Sequence, residues 1–306
     1  MSYAARKRGK VQSIQAQEAR RAAEEQARAE AAARRRRRLV LIWGSAAAVL
    51  VVAAAITVVQ VQAAQARDRL RGPANMMSDG LVVYGDTEEL LSLATEANGP
   101  DRDATATGDT RFLGIADLKL YVDYTDAEPA EFWAANGETL SERMIDGDVT
   151  LEIHPIGDDE ASIAAAAAFA CVAEKAPDSG LAAHGALLAA QDSLLAAAPD
   201  ELPAVLRTAL AAGGVDDEGV GGCVDGERFR PWVEDATERA AESTVYPQIG
   251  PVTGSALFVL DLPYGGAPDD TEDFMAAVEA AVASVSPDTA ADTEADTEAG
   301  TEAGEE

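Results

Sequence analysis

The sequence has few of the residues that build metal centres and disulfide frameworks. Its 306 residues include two cysteines and two histidines. A cysteine-rich zinc or iron–sulfur protein is therefore excluded, and so is a disulfide-stabilised mini-protein. A Gly-rich phosphate loop and a Gly-x-Ser-x-Gly nucleophile elbow are also missing. Because 47% of the residues are hydrophobic, the chain can still bury a core, which excludes general disorder.

Basic residues are scarce overall, and they are unevenly distributed. The chain has 24 Lys and Arg against 54 Asp and Glu, a net charge of −30 that disfavours nucleic acid as a partner. Residues 1–38 hold 12 of the basic residues with 4 acidic ones, whereas residues 61–306 hold 12 basic and 50 acidic ones. Residues 39–60 carry no charge, and as a helix they would span a hydrocarbon core of about 30 Å. We therefore predict one transmembrane helix at 39–60.

Five arginines, Arg34, Arg35, Arg36, Arg37 and Arg38, stand directly before this span. Arginine clusters stay on the cytoplasmic side, so we expect a single-pass plasma membrane protein with its N-terminus inside and its C-terminal domain outside. Residues 1–38 form a basic, helix-favouring cytoplasmic segment that is either simply solvated or in contact with anionic lipid headgroups. A cleaved signal peptide, with Ala63 to Ala66 as its processing site, is the alternative.

Between a linker at 61–73 and a disordered acidic tail at 287–306 lies one globular unit, residues 74–286. Strands are predicted at 81–84, 118–122, 149–153 and 256–260, and helices at 86–97, 128–145 and 271–285. A long Ala-rich helical stretch occupies about 160–242. This order predicts an α/β core with a helical domain inserted in its middle.

Four segments then resemble a known family. Residues 73–80 precede a short strand, residues 118–132 read LKLYVDYTDAEPAEF, residues 149–155 read VTLEIHP, and residues 252–259 read VTGSALFV. Their order and spacing resemble membrane-anchored, DsbA-like thioredoxin-fold proteins of actinobacteria, over about residues 74–285. Asp123, Tyr124 and Phe132 match the residues that flank the family's Cys-Pro-x-Cys motif. The resemblance implies a thioredoxin-like fold with an inserted α-helical domain, preceded by one transmembrane helix.

Both parts of the family's redox site are altered in this chain. Asp126, Ala127, Glu128 and Pro129 occupy the Cys-Pro-x-Cys positions, and Ala256 occupies the position of the family's cis-proline. Disulfide exchange needs an attacking thiolate and a resolving thiol, and none of these residues supplies either. A cis bond before a residue other than proline costs about 3 kcal/mol, so Ser255–Ala256 is expected to be trans. The resemblance, with these departures, implies a redox-inactive member with no catalytic residues at these positions.

The two cysteines, Cys171 and Cys223, both fall in the helical insertion. A disulfide between them is permitted outside the cytoplasm. In actinobacterial members of the family, a second and non-catalytic disulfide occupies the helical domain, which implies a structural bridge here. A relocated redox pair is the alternative, although the Cys-x-x-Cys spacing that lowers a thiol pKa is missing.

The remaining candidates are polar residues with ordinary structural explanations. His154 at a strand end and His184 on a helix are expected to pack. Glu174 lies ten residues before His184, but no third ligand stands at metal spacing. Asp123, Asp126 and Glu128 either form a solvated helix start or act as paired carboxylates in acid–base chemistry. No metal or cofactor is predicted.

Three functions remain open. The main hypothesis is a non-catalytic module that binds a peptide or an unidentified envelope protein. The alternative is an enzyme, a thiol–disulfide oxidoreductase that forms or isomerises disulfides with Cys171 and Cys223 or with a partner's thiols. A third possibility is a structural protein of the cell envelope.

Overall fold

The computed structural model describes residues 56–57, 59–62, 71–86, 89–99 and 103–286. The predicted segments 1–38 and 287–306, most of the linker 61–73 and all but four residues of the predicted span 39–60 lie outside the described residues. Contacts divide the chain into two units, Met1–Gln65 and Ala66–Glu306. In the first unit, residues 56–57 and 59–62 are helical. Among the described residues, no helix has the length and apolar character needed to cross a membrane.

The second unit is built on one mixed sheet. Its strands are β1 (Leu81–Asp86), β2 (Glu89–Ser92), β3 (Ala116–Val122), β4 (Val149–Pro155), β5 (Ala256–Val259) and β6 (Leu262–Pro263). Their order in the sheet is β2-β1-β4-β3-β5-β6. Strands β3 and β4 are parallel, and the other neighbours pair antiparallel.

Apart from the predicted helix at 86–97, the helices follow the predicted order. They are α1 (Ala127–Ile145), α2 (Glu160–Lys175), α3 (Gly180–Ala189), α4 (Gln191–Ala196), α5 (Leu202–Ala212), α6 (Glu218–Asp225), α7 (Arg230–Ala241) and α8 (Thr271–Val285). A parallel β3–α1–β4 unit, an antiparallel β5–β6 hairpin and α8 together give a thioredoxin-like α/β fold. Helices α2 to α7 are inserted between its two halves.

Residues paired across the sheet share a face, so the register defines two rows of side chains. One row is apolar and belongs to the main core: Leu81, Ile153, Leu120 and Leu257. The row on the opposite face is mixed: Val82, Glu152, Lys119 and Phe258. The central strands therefore bury an amine and a carboxyl, and Lys119 and Glu152 are only 5% and 4% exposed.

Helix α2 fills the apolar side of the sheet with small side chains. Its start is a capping box, in which Ser162 N–H donates to Asp159 Oδ1 at 2.8 Å and Asp159 N–H donates to Ser162 Oγ at 3.0 Å. The alanines from Ala164 to Ala168 are all buried. Because alanine has a single methyl group, α2 can approach its neighbours on all sides, which explains the Ala-rich composition of this segment.

The predicted helix at 86–97 is wrong. Residues Glu89–Ser92 form β2 instead, in an antiparallel pair with β1 that matches Tyr84 with Leu91. Ser92 Oγ donates to the Pro177 carbonyl at 2.7 Å, which ties the strand to the turn between α2 and α3 of the helical insertion. Pairing with a formed strand outweighed the helix propensity of Glu and Leu in this short segment.

Strand β6 is absent from the sequence prediction because its turn has no sequence signature. Leu260 and Asp261 connect β5 to β6 with φ values of 50° and 69°. Positive φ at both central residues is the geometry of a type I′ hairpin turn, which usually carries Asn or Gly. Leu260 N–H donates to the Asp117 carbonyl at 3.0 Å, and two cations hold the Asp261 carboxyl, so tertiary contacts stabilise this backbone.

Candidate functional site

The first candidate site is the start of α1, where β3 ends. Asp123 accepts hydrogen bonds at Oδ1 from Thr125 N–H at 2.8 Å and from Thr125 Oγ at 2.6 Å. This turn delivers Asp126 to the N-cap position of α1, with Glu128 and Pro129 in the first turn. Asp126 has an extended backbone (φ −78°, ψ 140°), but its side chain makes no capping bond to the helix.

The carboxyl of Asp126 faces the second predicted loop instead. Ser255 Oγ donates to Asp126 Oδ2 at 2.7 Å and accepts from Asp123 N–H at 3.0 Å. The two altered loops therefore lie against each other, joined through one hydroxyl. No cis peptide bond occurs among the described residues, so Ser255–Ala256 is trans, as expected.

Ionisation of the Asp123 carboxyl in this turn is disfavoured. Burial raises the pKa of the Asp123 carboxyl above its ordinary value, against the opposing effect of the Thr125 hydrogen bonds. The nearby carboxyls of Asp126 and Asp159 raise it further. The site is therefore an acidic turn at a helix start, with a hydroxyl group and no sulfur.

Cys171 and Cys223 form a disulfide between α2 and α6. Their Cα atoms are 5.7 Å apart, and the residues are 1% and 9% exposed. Cys171 lies in the second half of α2, and Cys223 lies near the end of α6. Neither sulfur is at the N-terminus of a helix, where the helix dipole would favour a thiolate.

His184 connects the insertion to the turn before α1. It is fully buried, its Nδ1 is 3.1 Å from Tyr124 Oη, and its ring meets the Trp133 ring edge-on at 4.6 Å. Burial lowers the pKa of His184 to about 3, so the ring is neutral at physiological pH. From α4, Gln191 Nε2 also donates to the Thr125 carbonyl at 2.8 Å. Insertion helices thus hold the turn in place.

His154 packs on the opposite face of the sheet. It is 2% exposed, stacks on Tyr121 with ring centroids 4.4 Å apart, and has Nε2 3.5 Å from Glu152 Oε1. Both histidines therefore pack in the interior, and no group of three potential metal ligands occurs in the part of the chain that the structure describes.

Sequence reasoning missed a partly buried charged network on that face, with Lys119 at its centre. Asp117 Oδ2 and Asp261 Oδ1 flank Lys119 Nζ at 2.5 and 3.0 Å, and Arg111 bonds both carboxylates at 2.6 and 2.5 Å. Burial alone would raise the pKa of Asp117, but hydrogen bonds from Arg111 and Lys119 hold it below its ordinary value. The alternation of Asp117 and Lys119 with leucines in β3 was the available signal.

Glu152 lies beside this network with its own set of donors. Ser78 Oγ donates to Oε1, Tyr246 Oη lies 2.8 Å from Oε2, and Thr107 Oγ donates to Oε2 at 3.1 Å. Burial would raise the pKa of Glu152, but its contacts with His154, Ser78 and Tyr246 hold the pKa below its ordinary value. A buried carboxylate with this many donors is stable in its charged form.

No family model matches this chain, and no curated protein matches it. Among solved structures, it is similar to MdbA, a thiol–disulfide oxidoreductase from Actinomyces oris, with 19% identity, a TM-score of 0.42 and coverage of 50% of this chain and 74% of MdbA. It is also similar to reduced DsbA from Mycobacterium tuberculosis, with 18% identity, a TM-score of 0.44 and coverage of 68% and 100%. It is similar as well to reduced DsbG of that organism, a disulfide bond oxidoreductase, with 18% identity, a TM-score of 0.45 and coverage of 67% of this chain and 88% of DsbG.

Proposed function

We propose that the thioredoxin-like unit binds an extended peptide or protein segment in the cell envelope without thiol chemistry of its own. The binding site is formed by residues 123–129 and 250–256, the two loops that Ser255 joins through Asp126 and Asp123. The start of α1 supports the lack of thiol chemistry, because the Asp126 carboxyl accepts a hydrogen bond from Ser255 there and no thiol is present. Thiol–disulfide exchange requires a thiolate at the point of attack.

The proposed location is the plasma membrane. The uncharged span 39–60 would anchor the chain, Arg34 to Arg38 would keep the N-terminus in the cytoplasm, and the acidic tail would lie outside with the folded unit. The arginines could also contact anionic lipid headgroups. These segments lie outside the described residues, and the proposal for them comes from the sequence pattern alone.

A second candidate is a thiol–disulfide oxidoreductase that uses Cys171 and Cys223. Two observations favour it: the chain holds its two cysteines as one disulfide, and the similar solved structures are named as oxidoreductases. Cys223 also follows Gly221 and Gly222, and a side chain added at Gly222 would meet only open space.

Redox assays separate the two functions. The purified chain is incubated with a model dithiol peptide, and oxidation is compared between the unmodified chain and the Cys171→Ser/Cys223→Ser variant. We expect both to stay at background. If the unmodified chain oxidises the peptide and the double variant does not, the oxidoreductase is the correct function and the non-catalytic binding module is wrong.

Binding is tested with an unfolded polypeptide, reduced and carboxamidomethylated ribonuclease A. A side chain added at Gly254 in the proposed site, or at Gly265 in the loop before α8, would meet only open space, and neither residue has a positive φ. We expect Gly254→Leu to weaken binding, measured by fluorescence anisotropy, and the matched Gly265→Leu variant to bind as the unmodified chain does. Equal binding by all three proteins would contradict the proposed site.

A further inference from the structure

A cavity lies on the face of the sheet opposite the main core, and none of the residues that line it belongs to the turn before α1. It has a volume of about 320 Å³ and lies between the sheet and the segment from Ala106 to Ile115. Cavities of 300 Å³ and more are the size of small-molecule binding pockets, whereas one water needs only about 15 Å³. The cavity is therefore large enough for an organic molecule.

Most of its wall is apolar. Val82 and Tyr84 contribute from β1, and Leu113 and Ile115 contribute from the covering segment. Leu113 is 60% exposed at the rim, and its neighbour Phe112 is 80% exposed. Exposed apolar side chains beside an apolar cavity are typical of a binding site for a ligand with apolar surface.

The polar wall has charges, but all of them have partners. Lys119 and Arg111 are held by Asp117 and Asp261, and Glu152 is held by hydroxyl groups. Asp109 lies at the exposed rim, with Oδ1 3.7 Å from Arg111 Nε. A charged ligand would have to compete with one of these pairs or remain unpaired in a poorly solvated site, which is costly in either case. A neutral ligand meets neither cost.

We propose that this cavity binds a small, uncharged and mainly apolar molecule with one or two hydrogen-bonding groups. An aromatic or alicyclic ring would pack between Val82, Tyr84 and Leu113, and its polar group would face Gln248 and the charged wall. This site is independent of the function proposed above, because it shares no residue with the two loops joined by Ser255.

Three indoles that differ in charge test the site. Indole is neutral, tryptamine is cationic and indole-3-acetate is anionic, and each is titrated into the purified full-length chain by calorimetry. We expect saturable 1:1 binding of indole, with both charged analogues at least about tenfold weaker, a difference of about 1.4 kcal/mol. Lack of saturable indole binding would overturn the proposal, and so would a charged analogue that binds as tightly as indole.

Variants locate the binding. Val82→Phe places a ring in the cavity and should weaken indole binding at least about tenfold. Leu113→Ser removes an apolar rim residue and should also weaken it, whereas Leu195→Ser should have no effect, since Leu195 is similarly exposed at 58% but lies on α4 away from the cavity. Each variant's unfolding midpoint is measured to confirm that it folds. Binding that is unchanged in folded Leu113→Ser, or equally weakened in Leu195→Ser, would place the ligand elsewhere.

Discussion

At the scale of single residues, Asp123 combines a structural contribution with an electrostatic cost. Its carboxyl oxygen organises the turn through Thr125, yet burial and the neighbouring acids disfavour its charge. Asparagine keeps an acceptor oxygen at the same place and carries no charge. The aspartate therefore limits stability at neutral pH, although its geometry suits the turn.

We expect Asp123→Asn to unfold at a higher temperature than the unmodified chain at pH 7. The folded-state pKa of Asp123 is raised above 3.8, so the folded state binds the proton more tightly and stability is lost as pH rises through that range. The advantage of asparagine should therefore vanish near pH 3. Asp200→Asn, at an exposed loop position, is the control, and an equal gain there would contradict the explanation.

The disulfide contributes to stability by restricting the unfolded chain. Cys171 and Cys223 are 52 residues apart, and closing a loop of that length is worth about 4 kcal/mol at most. We expect Cys171→Ser/Cys223→Ser to unfold at a clearly lower temperature, and a reductant to lower the midpoint of the unmodified chain alone. Differential scanning calorimetry with and without reductant measures this. Peptide mapping that finds both thiols free in native protein would contradict it.

At the scale of elements, His184 holds α3 against α1 and α2. Trp133 of α1 and Phe169 of α2 pack edge-on against its ring, and Tyr124 lies at its Nδ1. In the folded state the ring is completely buried and neutral. In the unfolded state it can bind a proton once the pH falls below its ordinary pKa of 6.5. The junction of these helices should therefore weaken in acid.

We expect the free energy of unfolding to fall between pH 6.5 and 5, with a limiting slope of about 1.4 kcal/mol per pH unit for one proton. The pKa of His184 is lowered from 6.5 to about 3, so its contribution is complete above pH 6.5 and is lost as pH falls. In His184→Gln, which does not titrate, urea unfolding should show a flatter dependence over this interval. An identical dependence in both proteins would assign the effect to other groups.

The start of α1 is the second element with a testable property. Asp126→Cys/Pro129→Cys places one thiol at its N-cap and one in its first turn, where the helix dipole lowers a thiol pKa. In a Cys171→Ser/Cys223→Ser background, we expect this variant to form a disulfide but to oxidise a dithiol peptide only weakly. Adding Ala256→Pro should increase the rate. Full activity without proline at 256 would show that the second loop is not needed.

At the scale of the whole molecule, the charge asymmetry predicts an orientation. Residues 1–38 are basic and residues 61–306 are strongly acidic, on either side of an uncharged span. We expect protease added to intact spheroplasts to remove the folded unit while an N-terminal epitope tag stays protected. Permeabilised spheroplasts, in which both ends should be digested, are the control. A protected C-terminal unit would reverse the proposed orientation.

The sequence by itself determined the elements with strong local patterns. Strands β3 and β4, helix α1 and helix α8 were predictable because their apolar periodicity and helix starts are local features. The lack of thiols at 126–129 was also visible, since it depends only on residue identity. The resemblance that gave the fold depended on the order of these local segments.

Only the tertiary structure decided the features that join distant residues. Strand β2 forms because β1 is available to pair with it, and the Leu260–Asp261 turn adopts positive φ because Arg111 and Lys119 hold the Asp261 carboxyl. The hydroxyl link between Ser255 and Asp126 spans 129 residues of chain. Such contacts depend on three-dimensional register, and no local propensity encodes them.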